Sequence, residues 1–188
     1  MGVSHVELGP GICLRPMSAG DLPFLSALYA ATREGELAQV SWTAEEKAAF
    51  LSFQFNCQHQ HYQQHYAGAD FDIIESQGEP IGRLYLALLG DDLRIMDIAL
   101  IPSARRRGIG SRLLTAVIER ARREGRSVSI HVERNNPALA LYERLGFTVQ
   151  EDRGVYLFLV HSPPARVAPP PSLPNREASL AAVGRLNP

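Results

Sequence analysis

From Arg94 to Glu124 the chain reads RIMDIALIPSARRRGIGSRLLTAVIERARRE. Residues 95–101 are a short apolar run that carries one charge and ends at Pro102, a pattern typical of a mostly buried central strand. From Ile109 onward, apolar residues recur every three or four positions, which predicts an amphipathic helix that stops at Gly125. The stretch therefore predicts a buried strand, a basic turn and a helix in immediate succession.

The basic turn between strand and helix contains two closely spaced glycines. Gly108 and Gly110 let the backbone come near a ligand, and amides at a helix start point outward, a geometry that attracts phosphate. The turn lacks the GxxxxGK[ST] pattern and has only two of the glycines of GxGxxG. A nucleoside triphosphate or a dinucleotide is therefore not the expected ligand.

Two motifs carry a resemblance to the GNAT family of N-acetyltransferases. Arg105-x-x-Gly108-x-Gly110 resembles the family's pyrophosphate loop, Gln/Arg-x-x-Gly-x-Gly/Ala, although for the turn alone an ordinary helix start with solvated arginines is an alternative. Downstream, a strand over 128–132 leads into a segment similar to the family's Asn-x-x-Ala-x-x-Leu-Tyr and Gly-Phe ending. That segment reads Asn135-Asn136-Pro137-Ala138-Leu139-Ala140-Leu141-Tyr142-Glu143-Arg144-Leu145-Gly146-Phe147.

The resemblance implies an α/β (α+β) GNAT fold with a mixed, mostly antiparallel sheet of about seven strands flanked by about four helices. Residues 1–161 are predicted to form this domain. Residues 162–188 are rich in proline and alanine, which predicts a flexible tail.

Periodicity places the remaining elements. A first strand is predicted at residues 12–16, followed by a helix with the stripe Phe24, Leu25, Leu28 and Tyr29. Thr43-x-x-Glu46 starts a second helix. Its predicted stripe is Phe50, Phe53, Gln54, Cys57, His61 and His65. A hairpin over 71–74 and 80–88 and closing strands at 147–150 and 155–160 complete the prediction.

Composition narrows the class of protein. The net charge is -1 and the sequence pI is about 6.6, so we expect no nucleic-acid partner. Two cysteines without paired spacing, and no apolar leader or membrane span, indicate a cytoplasmic protein. Cys57, His61 and His65 follow each other over two helical turns and cannot converge closely on one ion, so no metal is expected.

The resemblance implies acetyl-CoA as the co-substrate and assigns its contacts. The expected binding residues are Ile98, Ala99, Leu100, Arg105, Arg106, Arg107, Gly108, Ile109, Gly110, Ser111, Asn135 and Tyr142. Tyr142 corresponds to the family tyrosine that often protonates the leaving thiolate, with a packing aromatic as the alternative. In the family fold the first two helices overhang the acceptor end of the cleft. This implies substrate contacts from Tyr29, Glu36, Trp42, His61, Tyr62 and Tyr66.

A general base is predicted from strand alternation. Ile130 and Val132 face the core, which turns His131 towards the cleft, and histidine titrates near neutrality. Asp97 and Glu133 are further candidates, and many family members remove the amine proton through water instead.

The predicted function is acetyl-CoA-dependent N-acetyltransfer to a primary amine of a small molecule or a protein, by direct attack and without a covalent enzyme intermediate. The alternative is a non-catalytic acyl-CoA-binding or protein-interaction module with the same fold. Expected partners are acetyl-CoA and an amine acceptor, and the resemblance leaves a homodimer open.

Overall fold

One sheet of eight strands forms the centre of the computed structural model, which describes residues 6–7 and 11–162. The strands are β1 (Val6–Glu7), β2 (Ile12–Pro16), β3 (Asp70–Ser76), β4 (Glu79–Leu89), β5 (Asp92–Leu100), β6 (Ser127–Glu133), β7 (Thr148–Arg153) and β8 (Tyr156–His161). Their order is β1-β2-β3-β4-β5-β6-β8-β7, and β5 and β6 are the parallel neighbours. Seven strands remain when the two-residue strand β1 is left aside, and the sheet is mixed and mostly antiparallel. The predicted sheet of about seven strands is therefore confirmed.

The described residues form four α-helices, as predicted. They are α1 (Leu22–Leu37), α2 (Ala44–His65), α3 (Ile109–Glu124) and α4 (Leu139–Arg144). At the start of α2 the Thr43 side chain accepts a hydrogen bond from the Glu46 amide, and the Glu46 carboxylate accepts one from the Thr43 amide. Helix α3 lies between Gly108 and Gly125, whose φ angles of 76° and 67° suit glycine.

The two faces of the sheet are covered by different helices. Consecutive residues of a strand point to opposite faces, and Ile73 and Ile74 accordingly belong to separate apolar clusters. Leu113 of α3 and Tyr142 of α4 lie in the larger cluster with Ile74. Leu25 of α1 lies in the smaller cluster with Ile73. Helices α1 and α2 therefore cover one face, and α3 and α4 cover the other.

The predicted apolar stripe of α2 is wrong. Phe53 is 64% exposed, whereas Phe55 is only 4% exposed and packs against Tyr29 of α1. Leu51 and Tyr62 lie beside Phe55 in the cluster under α1 and α2. Apolar and aromatic residues occur on several sides of this helix, so two stripes have helical spacing and only packing against the sheet selects one.

The predicted tail lies outside the described residues apart from Ser162, so the domain boundary after His161 stays a prediction. Within the described ranges, no helix has the length and apolar character needed to cross a bilayer. The same ranges contain no group of three or more Cys, His, Asp or Glu side chains that is arranged to hold a metal ion.

Candidate active site

Strands β5 and β6 lie side by side over only part of their length. Their parallel pairing runs from Asp92 opposite Ser127 to Ile95 opposite Ile130. Beyond this point β5 stays paired with β4, and β6 pairs with β8. The two strands therefore separate, and we call the opening between them, bordered by residues 96–100 of β5, the groove.

A β-bulge on β5 lies where the groove begins. The register between β4 and β5 shifts between Tyr85 and Leu86, which leaves Met96 as the extra residue. Met96 packs in the cluster under α1 and α2, and Asp97 lies opposite Tyr85 of the same cluster. The bulge therefore turns two consecutive residues, Met96 and Asp97, towards the α1–α2 face.

The predicted contact residues Ile98, Ala99 and Leu100 form the β5 border of the groove. Each is partly exposed, and each is paired with β4 on one backbone edge. Their other edge faces the groove, where an extended ligand can pair with it as an added strand does.

The glycine turn presents unpaired amides at the start of α3. The first i→i−4 bond of the helix runs from the Arg112 amide to the Gly108 carbonyl at 3.1 Å, so the amides of residues 109–111 come before it. Gly108 is exposed, and a Cβ added there would meet no atom within 4 Å. The first turn of α3 carries no acidic residue. An anion can therefore reach these amides, and the helix dipole favours it.

The three arginines of the turn have different surroundings. Arg105 Nε donates to the Leu100 carbonyl at 2.9 Å, which ties the turn to the end of β5. Arg106 has a positive φ of 54°, an uncommon conformation for a residue with a side chain. Arg106 and Arg107 are both exposed next to the open amides.

Tyr142 lies on α4 and is 4% exposed. Its ring packs edge-on against Phe147, and burial, followed by the negative charge of Asp97, raises its pKa to about 12. Its hydroxyl has no hydrogen-bond partner among the described residues and is not sealed from solvent. Tyr142 is therefore a protonated phenol at neutral pH, close enough to Asp97 to feel its charge.

The loop before α4 is ordered by Asn136 rather than by Asn135. The Asn136 side chain accepts a hydrogen bond from the Ala138 amide at 2.8 Å, and its own amide donates to the Glu133 carbonyl at 2.9 Å. Asn135, the predicted ligand contact, is exposed.

His131 follows the last residue of β6 that pairs with β5. Its neighbours Ile130 and Val132 are buried in the larger cluster, and His131 is exposed on the opposite face, as strand alternation predicts. The imidazole stacks on Phe158 with 4.9 Å between ring centroids. Partial desolvation of the ring, followed by the positive charges of Arg94 and Arg153, lowers its pKa, which favours the neutral imidazole.

A buried ion pair, which was not predicted from the sequence, borders the site. Arg83 is 3% exposed, and its Nη2 atom donates to Asp97 Oδ2 at 2.6 Å and to Gln58 Oε1 at 3.2 Å. The sequence feature that could have indicated this pair is Arg83 itself, an arginine inside the otherwise mostly apolar strand β4. Its partner depends on the bulge at Met96, which the residue pattern does not show.

Two of the predicted acceptor contacts, Tyr62 and Glu36, lie near β5 or are linked to β6. Tyr62 lies at the β5 bulge, with its hydroxyl 3.5 Å from the Met96 carbonyl oxygen. Glu36 pairs with Arg33, which also reaches Glu133 at 3.5 Å and so links α1 to β6.

The other predicted contacts lie away from the bulge or inside the fold. Trp42 lies just before α2 and packs on Phe50, and His61 stacks on His65; all four side chains are exposed. Tyr29 is 6% exposed in the core, so its part in acceptor binding stays a prediction that its burial does not favour.

Residues 29–147 match the acetyltransferase (GNAT) family. This span is more than half of the 188 residues. The chain belongs to this family, and the predicted membership is confirmed. The matched span includes the glycine turn, the groove and Tyr142. A comparison with curated proteins found no match.

Solved structures of acetyltransferases share this fold. PaiA N-acetyltransferase from Thermoplasma acidophilum, in complex with coenzyme A, has a TM-score of 0.64 at 18% identity, covering 80% of this chain and 98% of that chain. RimL, a ribosomal L7/L12 alpha-N-protein acetyltransferase in complex with coenzyme A, has a TM-score of 0.60 at 20% identity, covering 85% and 98%. The Salmonella typhimurium acetyltransferase that modifies the N-terminal serine of L7/L12 has a TM-score of 0.57 at 22% identity, covering 84% and 96%.

Proposed function

We propose that this protein is an acetyl-CoA-dependent N-acetyltransferase that transfers the acetyl group directly to a primary amine. The observation that carries the proposal is the groove between β5 and β6, which has open helix amides beside it and a buried tyrosine near it. Family membership supports the same reaction. Two of the similar structures are complexes with coenzyme A, which supports acetyl-CoA as the co-substrate here.

The glycine turn fits a diphosphate. The amides from Arg106 to Ser111 would donate to its oxygens, with the dipole of α3 adding favourable charge and the exposed guanidinium groups of Arg106 and Arg107 adding attraction. Ile98, Ala99 and Leu100 would pair with the pantetheine arm, and an amide there would polarise the thioester carbonyl. Asn135 is exposed two residues after β6, and the family resemblance assigns it to the same arm.

Tyr142 is the proposed acid for the departing thiolate. Its raised pKa of about 12 keeps the proton on the phenol over the whole neutral range, and its hydroxyl has no competing partner among the described residues. A positioned acid of this kind contributes about 100-fold or more to the rate of group transfer.

The amine proton has two candidate acceptors on the α1–α2 face. His131 has a lowered pKa and is therefore in the neutral form that takes up a proton. Asp97 lies at the bulge, and its charge reaches Tyr142. Neither Cys13 nor Cys57 lies in the groove-forming strands or in the glycine turn, which supports direct attack without a cysteine-bound intermediate.

The acceptor class is a primary amine, of a small molecule or of a protein. RimL acts on the α-amino group of a ribosomal protein, so peptide N-termini belong in the test set beside polyamines, amino acids and aminoglycosides. Tyr62 and the Glu36–Arg33–Glu133 chain lie on the α1–α2 side of the groove and are the proposed acceptor contacts.

The test is thiol release from acetyl-CoA across this amine panel. We expect turnover with at least one amine, and a loss of kcat of about 100-fold in Tyr142→Phe with unchanged affinity for CoA. Tyr156→Phe removes one hydroxyl from an exposed tyrosine and serves as the matched control, with kcat within about twofold of wild type. CoA binding without turnover on any amine or peptide would refute the proposal and favour a non-catalytic acyl-CoA-binding module.

A further inference from the structure

The buried pair of Arg83 and Asp97 lies where the groove begins. On the basis of the proposed function, we propose that Arg83 is a positioning residue, which holds one oxygen of Asp97 and leaves the other to accept the proton of the attacking amine. The inference concerns an acceptor-side device of this chain, formed by α2, β4 and β5.

Arg83 is the most buried of the paired arginines among the described residues. Its side chain is 4% exposed, and the next most buried, that of Arg94, is 23% exposed. One amino group bridges Asp97 of β5 and Gln58 of α2. Both hydrogen bonds are made by Nη2, so this nitrogen links β5 to α2 and determines which oxygen of Asp97 is held.

The arrangement is costly if its only role is packing. Arg83 Nε is sealed from solvent and has no hydrogen-bond partner among the described residues. Burying an ion pair is weak evidence for stability, because desolvation offsets the attraction between the charges. A buried donor without a partner is unfavourable in addition. These costs are consistent with a positioning role for the pair.

Asp97 is divided between a held oxygen and an open one. Oδ2 accepts a hydrogen bond from Arg83, whereas Oδ1 accepts none within the described part of the chain and is not sealed from solvent. The residue is next to the bulge, two positions after β5 leaves β6, and its side chain is 15% exposed. A carboxylate oxygen is therefore available at the acceptor end of the groove.

The titratable groups around Asp97 belong to three elements, β4, α2 and α4. The groups that contact or influence it are Arg83 and Tyr85 of β4, Tyr62 of α2 and Tyr142 of α4. Arg83 is the cation in contact, and the three tyrosines have raised pKa values to which burial contributes first and Asp97 also contributes. These phenols stay protonated at neutral pH, so the charged partners in direct contact here are Arg83 and Asp97.

The chemical step balances as follows for an amine that reaches the groove in its neutral form. The nitrogen attacks the thioester carbonyl carbon, the C–N bond forms, and the N–H proton passes to Asp97 Oδ1. The C–S bond breaks with its electron pair on sulfur, which takes the proton of the Tyr142 hydroxyl. The proton on Asp97 then returns to the tyrosinate, directly or through solvent, and both residues regain their starting forms.

The coupling between the two groups favours this order. The charge of Asp97 raises the pKa of Tyr142, so neutralising Asp97 lowers that pKa again. Taking the amine proton therefore makes Tyr142 a better acid when the thiolate leaves. His131 is influenced by Arg94, Arg153 and Glu151 instead.

The test is a double-mutant cycle with steady-state kinetics on the best amine. We expect Asp97→Asn to lower kcat about 100-fold, Arg83→Gln to lower it about 10-fold, and the double variant to match Asp97→Asn alone. CoA affinity should stay within about twofold throughout. Arg120→Gln, which breaks a partly buried arginine–aspartate pair between α3 and β3, is the matched control and should keep kcat.

Several results would overturn the inference. These are an unchanged kcat in Asp97→Asn, additive losses in the double variant, or a larger loss in His131→Ala than in Asp97→Asn. If Arg83→Gln fails to fold, Arg83→Lys replaces it, with a loss of a fewfold that must vanish in the Asp97→Asn background. A wild-type protein that acetylates no amine refutes the proposed function itself, whereas an active wild type with indifferent variants refutes only the role of Arg83 and Asp97.

Discussion

The substitution Gly108→Glu tests the phosphate site at the start of α3. Gly108 is exposed, has a φ of 76°, and has open space around the position of an added Cβ. The new side chain therefore meets no steric barrier, and two separate effects follow. One is backbone strain, and the other is a carboxylate placed where a diphosphate is expected to bind.

The two effects have different sizes and different readouts. A residue with a Cβ in the left-handed conformation costs about 1–2 kcal/mol, which lowers stability but applies to the free and the bound protein alike. A carboxylate about 6 Å from a doubly charged diphosphate, at an effective dielectric of about 40, costs about 3 kcal/mol of binding energy. We expect CoA affinity to fall about 100-fold, and less at high salt because the repulsion is screened.

The assay is isothermal titration calorimetry with CoA, combined with thermal unfolding. Gly108→Ala isolates the strain and should lower Tm with little change in affinity. Gly154→Glu is the matched control, because Gly154 has a φ of 77° and equally open space in the turn between β7 and β8. It should lower Tm without weakening CoA binding. Wild-type affinity in Gly108→Glu would refute the placement of the diphosphate.

Three further predictions concern stability and strand geometry. Burial raises the pKa of Asp72 to about 6, so the cost of burying its charge grows as pH rises from the unfolded pKa of 3.8 and is complete above about pH 6. Asp72→Asn should therefore add up to about 3 kcal/mol to the free energy of unfolding at pH 7.5. In urea titrations this gain should shrink towards pH 4. Gly82→Ala would place a Cβ 2.3 Å from the Ala99 carbonyl oxygen, so it should displace β5 and lower both Tm and CoA affinity; unchanged values would contradict the described pairing. Phe55→Ala should cost about 3–5 kcal/mol and Phe53→Ala less than about 0.5 kcal/mol by chemical denaturation, and the reverse ranking would restore the stripe predicted from sequence.

The elements around the glycine turn could be predicted because their signals are local. An apolar run, a proline, two glycines and a helical repeat determine a strand, a turn and a helix within about thirty residues. The direction of His131 also followed from local alternation with Ile130 and Val132, and the structure places it on the expected face. The fold class then came from the resemblance carried by the two motifs.

The acceptor side of the site could not be predicted in the same way. The face of the sheet to which Asp97 points depends on the bulge at Met96. A bulge is determined by the register between strands and not by the residue pattern of one strand. Arg83 finds Asp97 and Gln58 only after β4, β5 and α2 have packed. Helix α2 illustrates the same limit, because its buried side was decided by contact with α1 and the sheet.

The most direct test of the central claim is an NMR titration of the ¹⁵N-labelled protein with CoA. The claim is that main-chain amides at the start of α3 hold the diphosphate while the pantetheine arm lies along β5. We predict that the largest amide shifts fall on residues 106–111 and 97–100, and that Gly108→Glu removes them while the amides of Gly154 and its neighbours stay unchanged. Shifts confined to other surfaces, or saturating CoA binding that leaves the amides of residues 106–111 unmoved, would contradict the account.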